Sequence, residues 1–184
     1  CVVSGQQAIL VHCFRICAEY ATDRGDHERA KKYTKTSQKL MEYIDMVLWD
    51  EKQQVFLDGW SPEHGLSKTH SVQTHSLMIL YDAIMDPSKK KSAQDIIDNP
   101  REDTIQSGSP FFLFYIYELW AKRDLSKVLE DIRERWQGMM RYNCTTCWEV
   151  FPGFYEVGRT RSYCHSWSAS PVYFFGKYVL GIHP

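Results

Sequence analysis

No apolar run in this chain of 184 residues approaches the roughly 20 residues that a membrane-crossing helix needs. The opening residues also lack the basic start and apolar middle of a signal peptide. A soluble chain is expected. Charge of one sign is equally scarce. The 22 basic and 23 acidic side chains leave a net charge of -1, and the KKK at 89–91 is a short stretch beside polar loop residues. Neither nucleic acid nor an anionic membrane is therefore an expected partner. The six cysteines, at 1, 13, 17, 144, 147 and 164, lack the density of a disulfide scaffold, and thiols in this number lean towards a reducing, cytoplasmic compartment.

What is present is material for a core. With 43% hydrophobic and 14% aromatic residues, the chain can bury a substantial interior as a single domain, 1–184, or as a large piece of one. It begins at Cys1 and enters a helix-like pattern within a few residues, as a fragment of a longer protein would.

The apolar residues Ile9, Leu10, Cys13, Phe14 and Cys17 recur at helical spacing and predict an amphipathic helix over about 6–22, with Cys13 and Cys17 as small core residues. Asp26 then caps a second helix running to about Trp49, which makes an αα-hairpin. A structured loop follows, with a β-like run at Val55, Phe56 and Leu57 and then the glycine-bearing GWSPEHG. Further helices are expected at about 72–85, 88–97, from Pro110 onwards, at 125–140 and from about Ser170. The first, third and fifth helices are more apolar around their circumference than the second, fourth and sixth, as inner and outer rings would be. The fold class is thus an all-α array of αα-hairpins, with GWSPEHG and TTCWEVFPG expected on a common face.

The stretch 145–171, TTCWEVFPGFYEVGRTRSYCHSWSASP, sets Glu149 among bulky aromatics and follows it with His165. Aromatic rings beside a carboxylate suit a sugar, whose apolar C–H face packs on a ring while polar groups bond its hydroxyls. Trp148 either stacks on sugar or orients Glu149, and Trp60, in the glycine-bearing loop, is a second candidate platform. Glu156 is the fallback for Glu149. Glu118, on an apolar helix face, reads as either a pKa-shifted acid or a paired one. His70, Gln73 and His75 either face a cleft or cap a helix, and Trp120, Trp136 and Trp167 read as core. A CxxC at 144–147 followed by Cys164-His165 offers no spacing between the last two for separate zinc ligands. No metal and no cofactor is expected.

Four segments, SPFFLFYIYELW at 109–120, IRERWQGMM at 132–140, TTCWEVF at 145–151 and HSWSASPVYFFGKYVLGIHP at 165–184, resemble in order and spacing the later part of the catalytic (α/α)6 barrel of the α-L-rhamnosidases of glycoside hydrolase family 78. The resemblance covers about the last 80 residues strongly. It implies inverting hydrolysis of terminal α-L-rhamnosides, with Glu149 as general base, His165 in contact with sugar hydroxyls, and the rest of the barrel as partner. The family's general acid sits in an earlier acidic motif that this chain lacks, so the chain alone is expected to be inactive. Cys144 and Cys147 also depart from the residues usual in the family. Two other readings stand beside this one. One is a helical-repeat module, since residues 18–40 have the spacing of a tetratricopeptide-like hairpin. The other is an (α/α)6 glycosidase of different sugar specificity.

Overall fold

The computed structural model describes residues 1–152 and 160–183, and the chain divides into two compact units, Cys1–Gln106 and Ser107–Pro184. The first unit is built on two αα-hairpins, α1 (Ser4–Asp23) with α2 (His27–Val47) and α3 (Val72–Leu80) with α4 (Pro87–Asp98), and α1 also packs on α3. The tight turn between α1 and α2 works because Gly25 takes the left-handed conformation at φ +74 and the carboxylate of Asp26 accepts from the Arg29 amide at 3.0 Å.

Helix α1 buries a different face from the one its bulky residues suggest. The stripe turned inward is Ser4, Gly5, Ala8, Val11, Ala18 and Ala21. Ile9, Leu10, Cys13, Ile16 and Cys17 are exposed, which corrects the assignment of the two cysteines to the core. Small side chains let α2 and α3 approach closely, and an added Cβ at Gly5 would come within 2.8 Å of Leu77 Cδ1.

Helix α3 also ends earlier than its apolar spacing predicts. Asp82 adopts a left-handed backbone at φ 49, and the Ala83 amide turns back to the Met78 carbonyl at 2.9 Å. Asp86 then caps α4, accepting from Ser88 N and Lys89 N, with Pro87 in the first turn. Asp45 of α2 accepts from the amides of Met85 and Asp86 and fixes the connection.

Residues 48–71, between the hairpins, carry short strands. β2 (Trp49–Asp50) pairs with β3 (Val55–Phe56), and β1 (Val2–Val3) pairs with β4 (Gly59–Ser61), which pairs in turn with β5 (Gly65–Leu66), all antiparallel. Asp58 organises this segment. Its carboxylate accepts from Ser71 Oγ at 2.6 Å, Thr74 Oγ1 at 2.7 Å and Thr69 Oγ1 at 2.9 Å. The fully buried His75 ties the segment to α3. Its Nδ1–H donates to the Ser71 carbonyl at 2.7 Å while Nε2 accepts from the Phe56 amide at 3.1 Å, which fixes one neutral tautomer. His70 is also buried and bonds Thr104 Oγ1 at 3.0 Å. Both histidines are therefore internal braces and not cleft residues.

The second unit holds a third hairpin, α5 (Pro110–Ala121) with α6 (Leu125–Met140), each started by the carboxylate or hydroxyl of the preceding Asp124 or Ser109. It ends in α7 (Ser170–Phe174), entered by a 3-10 turn at Ser166–Ala169 and continued by a π-helical turn at Phe175–Val179. Glu118 of α5 is paired there. Lys177 Nζ lies 3.1 Å from its carboxylate and Tyr178 Oη 3.0 Å. Burial pushes the pKa of Glu118 up, but the hydrogen bonds from Tyr173, Lys177 and Tyr178 outweigh it and hold the carboxyl below its usual range. Among the described residues no helix is long and apolar enough to cross a membrane.

Two stability predictions follow from the first unit. Burial lowers the His75 pKa from 6.5 to about 4, against the raising effect of the Ser71 carbonyl. The unfolded imidazole takes up a proton below pH 6.5 while the folded one stays neutral down to about 4. Stability is thus full above the unfolded value and declines by about 3 kcal/mol as pH falls through that window. Denaturant melts across the window measure the slope, and His75→Gln flattens it. At Gly59 an added Cβ would meet the Val2 carbonyl oxygen at 2.4 Å. Gly59→Ala should destabilise by about 1–3 kcal/mol in a thermal melt.

Candidate functional site

The site is assembled from two segments that lie side by side in the second unit, the connection after α6 and the approach to α7. Three backbone bonds or their equivalents pair them. The Glu149 amide donates to the Ser162 carbonyl at 2.9 Å, the His165 amide donates to the Cys147 carbonyl at 2.9 Å, and Thr146 Oγ1 donates to the Tyr163 carbonyl. Below them the fully buried Ser168 donates its hydroxyl to the Trp148 carbonyl at 2.6 Å. The Ser168 carbonyl in turn accepts from the Trp136 indole of α6 at 2.9 Å. Phe151 packs edge-on against Trp136, with ring centroids 5.0 Å apart.

This pairing brings Glu149 and His165 together. Glu149 Oε2 lies 3.9 Å from His165 Nδ1, and their side chains are 19% and 25% exposed. That separation exceeds a hydrogen bond. Each group therefore keeps capacity for a ligand while both remain open to solvent. His165 has the extended backbone that precedes the 3-10 turn, and its ring lies on Trp167 with centroids 3.8 Å apart.

The aromatic residues fall into three situations. Trp148 is buried at 4% exposure between Tyr142 and Tyr163, at centroid distances of 6.0 and 5.2 Å. Its indole presents no open face, so of the two readings the one in which it orients Glu149 fits the packing. Trp60 belongs to the first unit, where it is half-buried in β4 and lines a pocket of about 240 Å³ with Val2, Val3, His64 and Leu66. Trp167 reads from the sequence as core, yet it is 41% exposed. Its neighbours Ser166 and Ser168 are small, and the 3-10 turn rotates the indole outward while Ser168 goes in. Glu156, the fallback carboxylate, lies outside the described residues.

Cys144 and Cys147 are half-buried and Cys164 is exposed, all as free thiols. Burial, with Cys144 and Cys164 nearby, pushes the Cys147 thiol pKa up. Among the described residues no three His, Cys, Asp or Glu side chains are grouped to hold a metal ion.

Known proteins place this chain in a family. A sequence model described as the bacterial alpha-L-rhamnosidase 6 hairpin glycosidase domain matches residues 2–179. The crystal structure of a family 78 rhamnosidase of Bacillus sp. GL1 superposes with a TM-score of 0.82 at 34% identity, covering 95% of this chain and 19% of that one. A rhamnosidase from Klebsiella oxytoca with rhamnose bound shares the fold, with a TM-score of 0.69 at 21% identity, covering 97% of this chain and 34% of that one. This chain thus spans about a fifth and a third of the two enzymes' lengths. No curated protein matches it. The paired segments that join Glu149 to His165 therefore sit in a chain that belongs to the bacterial α-L-rhamnosidase six-hairpin glycosidase family.

Proposed function

We propose that this chain contributes the water-activating half of an inverting α-L-rhamnosidase site. The observation that carries the reading is the Glu149–His165 pair, 3.9 Å apart on hydrogen-bonded segments, within a six-hairpin glycosidase chain. Inversion needs one carboxylate to take a proton from water as it attacks the anomeric carbon, and an acid on the opposite face to protonate the departing oxygen. Glu149 suits the first role. It is held by its own backbone pairing and keeps its carboxylate partly open. His165 offers ring nitrogens to a sugar hydroxyl, and its ring rests in tilted contact with Trp167. Trp60, in the first unit, is a separate candidate platform for sugar.

The acid is assigned to a part of the barrel outside these residues, so the chain by itself is not expected to turn over. The exposed apolar residues Ile9, Leu10 and Ile16 of α1 support the same reading, since inner barrel helices bury such faces against one another. The partners are accordingly the remainder of the barrel and a rhamnoside substrate.

Two substitutions in the full-length protein test the assignment. Glu149→Gln keeps size and packing and removes the base. It should lower kcat for rhamnoside hydrolysis by about 10²–10⁴-fold with an unchanged melting temperature, and near-normal turnover would sink the reading. His165→Ala removes a sugar contact and should raise KM by about tenfold, with a smaller change in kcat, as read from steady-state kinetics.

A further inference from the structure

We infer that Trp136 of α6 is a positioning residue for the Glu149–His165 pair, acting through Ser168 and not by contact with the sugar; this rests on the rhamnosidase reading above. The pair needs a brace of this kind, because residues 144–151 and 160–165, which carry it, contain no helix or strand. One indole meets both segments. Its Nε1–H donates at 2.9 Å to the carbonyl of Ser168, in the 3-10 turn that follows His165. Its ring packs edge-on against Phe151, just beyond Glu149, at a centroid distance of 5.0 Å.

From Ser168 the link returns to the first segment. The Ser168 hydroxyl donates to the Trp148 carbonyl at 2.6 Å, and that carbonyl belongs to the peptide that joins Trp148 to Glu149. Indole, turn and base therefore stand in series. Ser109 Oγ also reaches the Glu149 carbonyl, but at 3.5 Å, where a hydrogen bond is weak. The tie to α6 is thus the firmer one. A base must stand where the water attacks, and a misplacement of about 1 Å costs on the order of 10²-fold in rate. Without the indole N–H, the turn and the Trp148 peptide lose their tie to α6, and Glu149 shifts relative to a sugar held at His165. The loss falls on kcat, because the base acts in the transition state.

The test is steady-state kinetics of the full-length protein on 4-nitrophenyl α-L-rhamnoside. Trp136→Phe keeps an aromatic ring against Phe151 and removes the N–H. It should lower kcat about tenfold while KM changes by less than about threefold. Ser168→Ala breaks the same series one bond further on and should lower kcat by a similar factor, and the double variant should lose no more than about either single one. Ser168→Ala also reads the series should Trp136→Phe fail to fold. Tyr178→Phe is the control for stability alone. It removes a hydrogen bond to Glu118 that neither segment makes, and should lower the melting temperature while leaving kcat within about twofold. Wild-type kcat in Trp136→Phe, single losses that multiply in the double variant, or an equal loss in Tyr178→Phe would overturn the positioning role and leave the rhamnosidase reading standing. Near-normal turnover by Glu149→Gln overturns that reading itself.

Discussion

The hydroxyl of Ser168 bonded to the carbonyl of Trp148 is the constraint on which the site depends. It joins two segments that no regular helix or sheet would otherwise keep in register. A buried hydroxyl given to a buried carbonyl satisfies both groups at once, and loss of either partner would leave the other without water to replace it. Around this bond the remaining choices narrow. Ser168 lies inward and Trp167 outward, Trp148 goes under the segment, and Glu149 comes up beside His165. The Trp136 indole, accepted by the Ser168 carbonyl, ties the same point to α6, so a helix sets the height of a site that is itself made of loops.

The helix starts were legible because they are chemical events in the local sequence. Asp26, Asp86, Ser109 and Asp124 each accept from an amide of the helix that follows, and side chain and helix lie within three residues of one another. Helix ends and helix faces were less legible. Asp82 stops α3 by entering the left-handed region, which aspartate tolerates but does not announce. In α1 the apolar spacing gives the period correctly and the wrong face. A helix that is apolar on a broad arc can bury its small residues or its large ones, and the choice is made by how closely its neighbours approach.

At the site, the adjacency of Glu149 and His165 came from the order of motifs, since sixteen positions separate them and no periodicity relates one to the other. The roles of the tryptophans could not be read in the same way. Trp148 and Trp167 sit in similar polar and aromatic surroundings, and only the direction of the paired segments buries the one and opens the other. His70 and His75 show the opposite case. They look available for a ligand, but both are buried: His75 has both ring nitrogens bonded within the first unit, and His70 bonds Thr104 through Nε2. The tetratricopeptide-like spacing of residues 18–40 reflects a hairpin of the same length in another kind of array, and the family match over 2–179 gives that hairpin its place.

His75 also gives the loop of the first unit an unusual freedom. By bonding the Phe56 amide on one side and the Ser71 carbonyl on the other, a single imidazole closes the two ends of the intervening segment, and Asp58 fastens it again from inside. The turn at 62–64, between β4 and β5, is thus an excursion from a ring that is already shut. For such an excursion, doubling the length costs only about 0.6 kcal/mol in chain entropy. That turn can therefore lengthen or shorten without disturbing the helices beneath it.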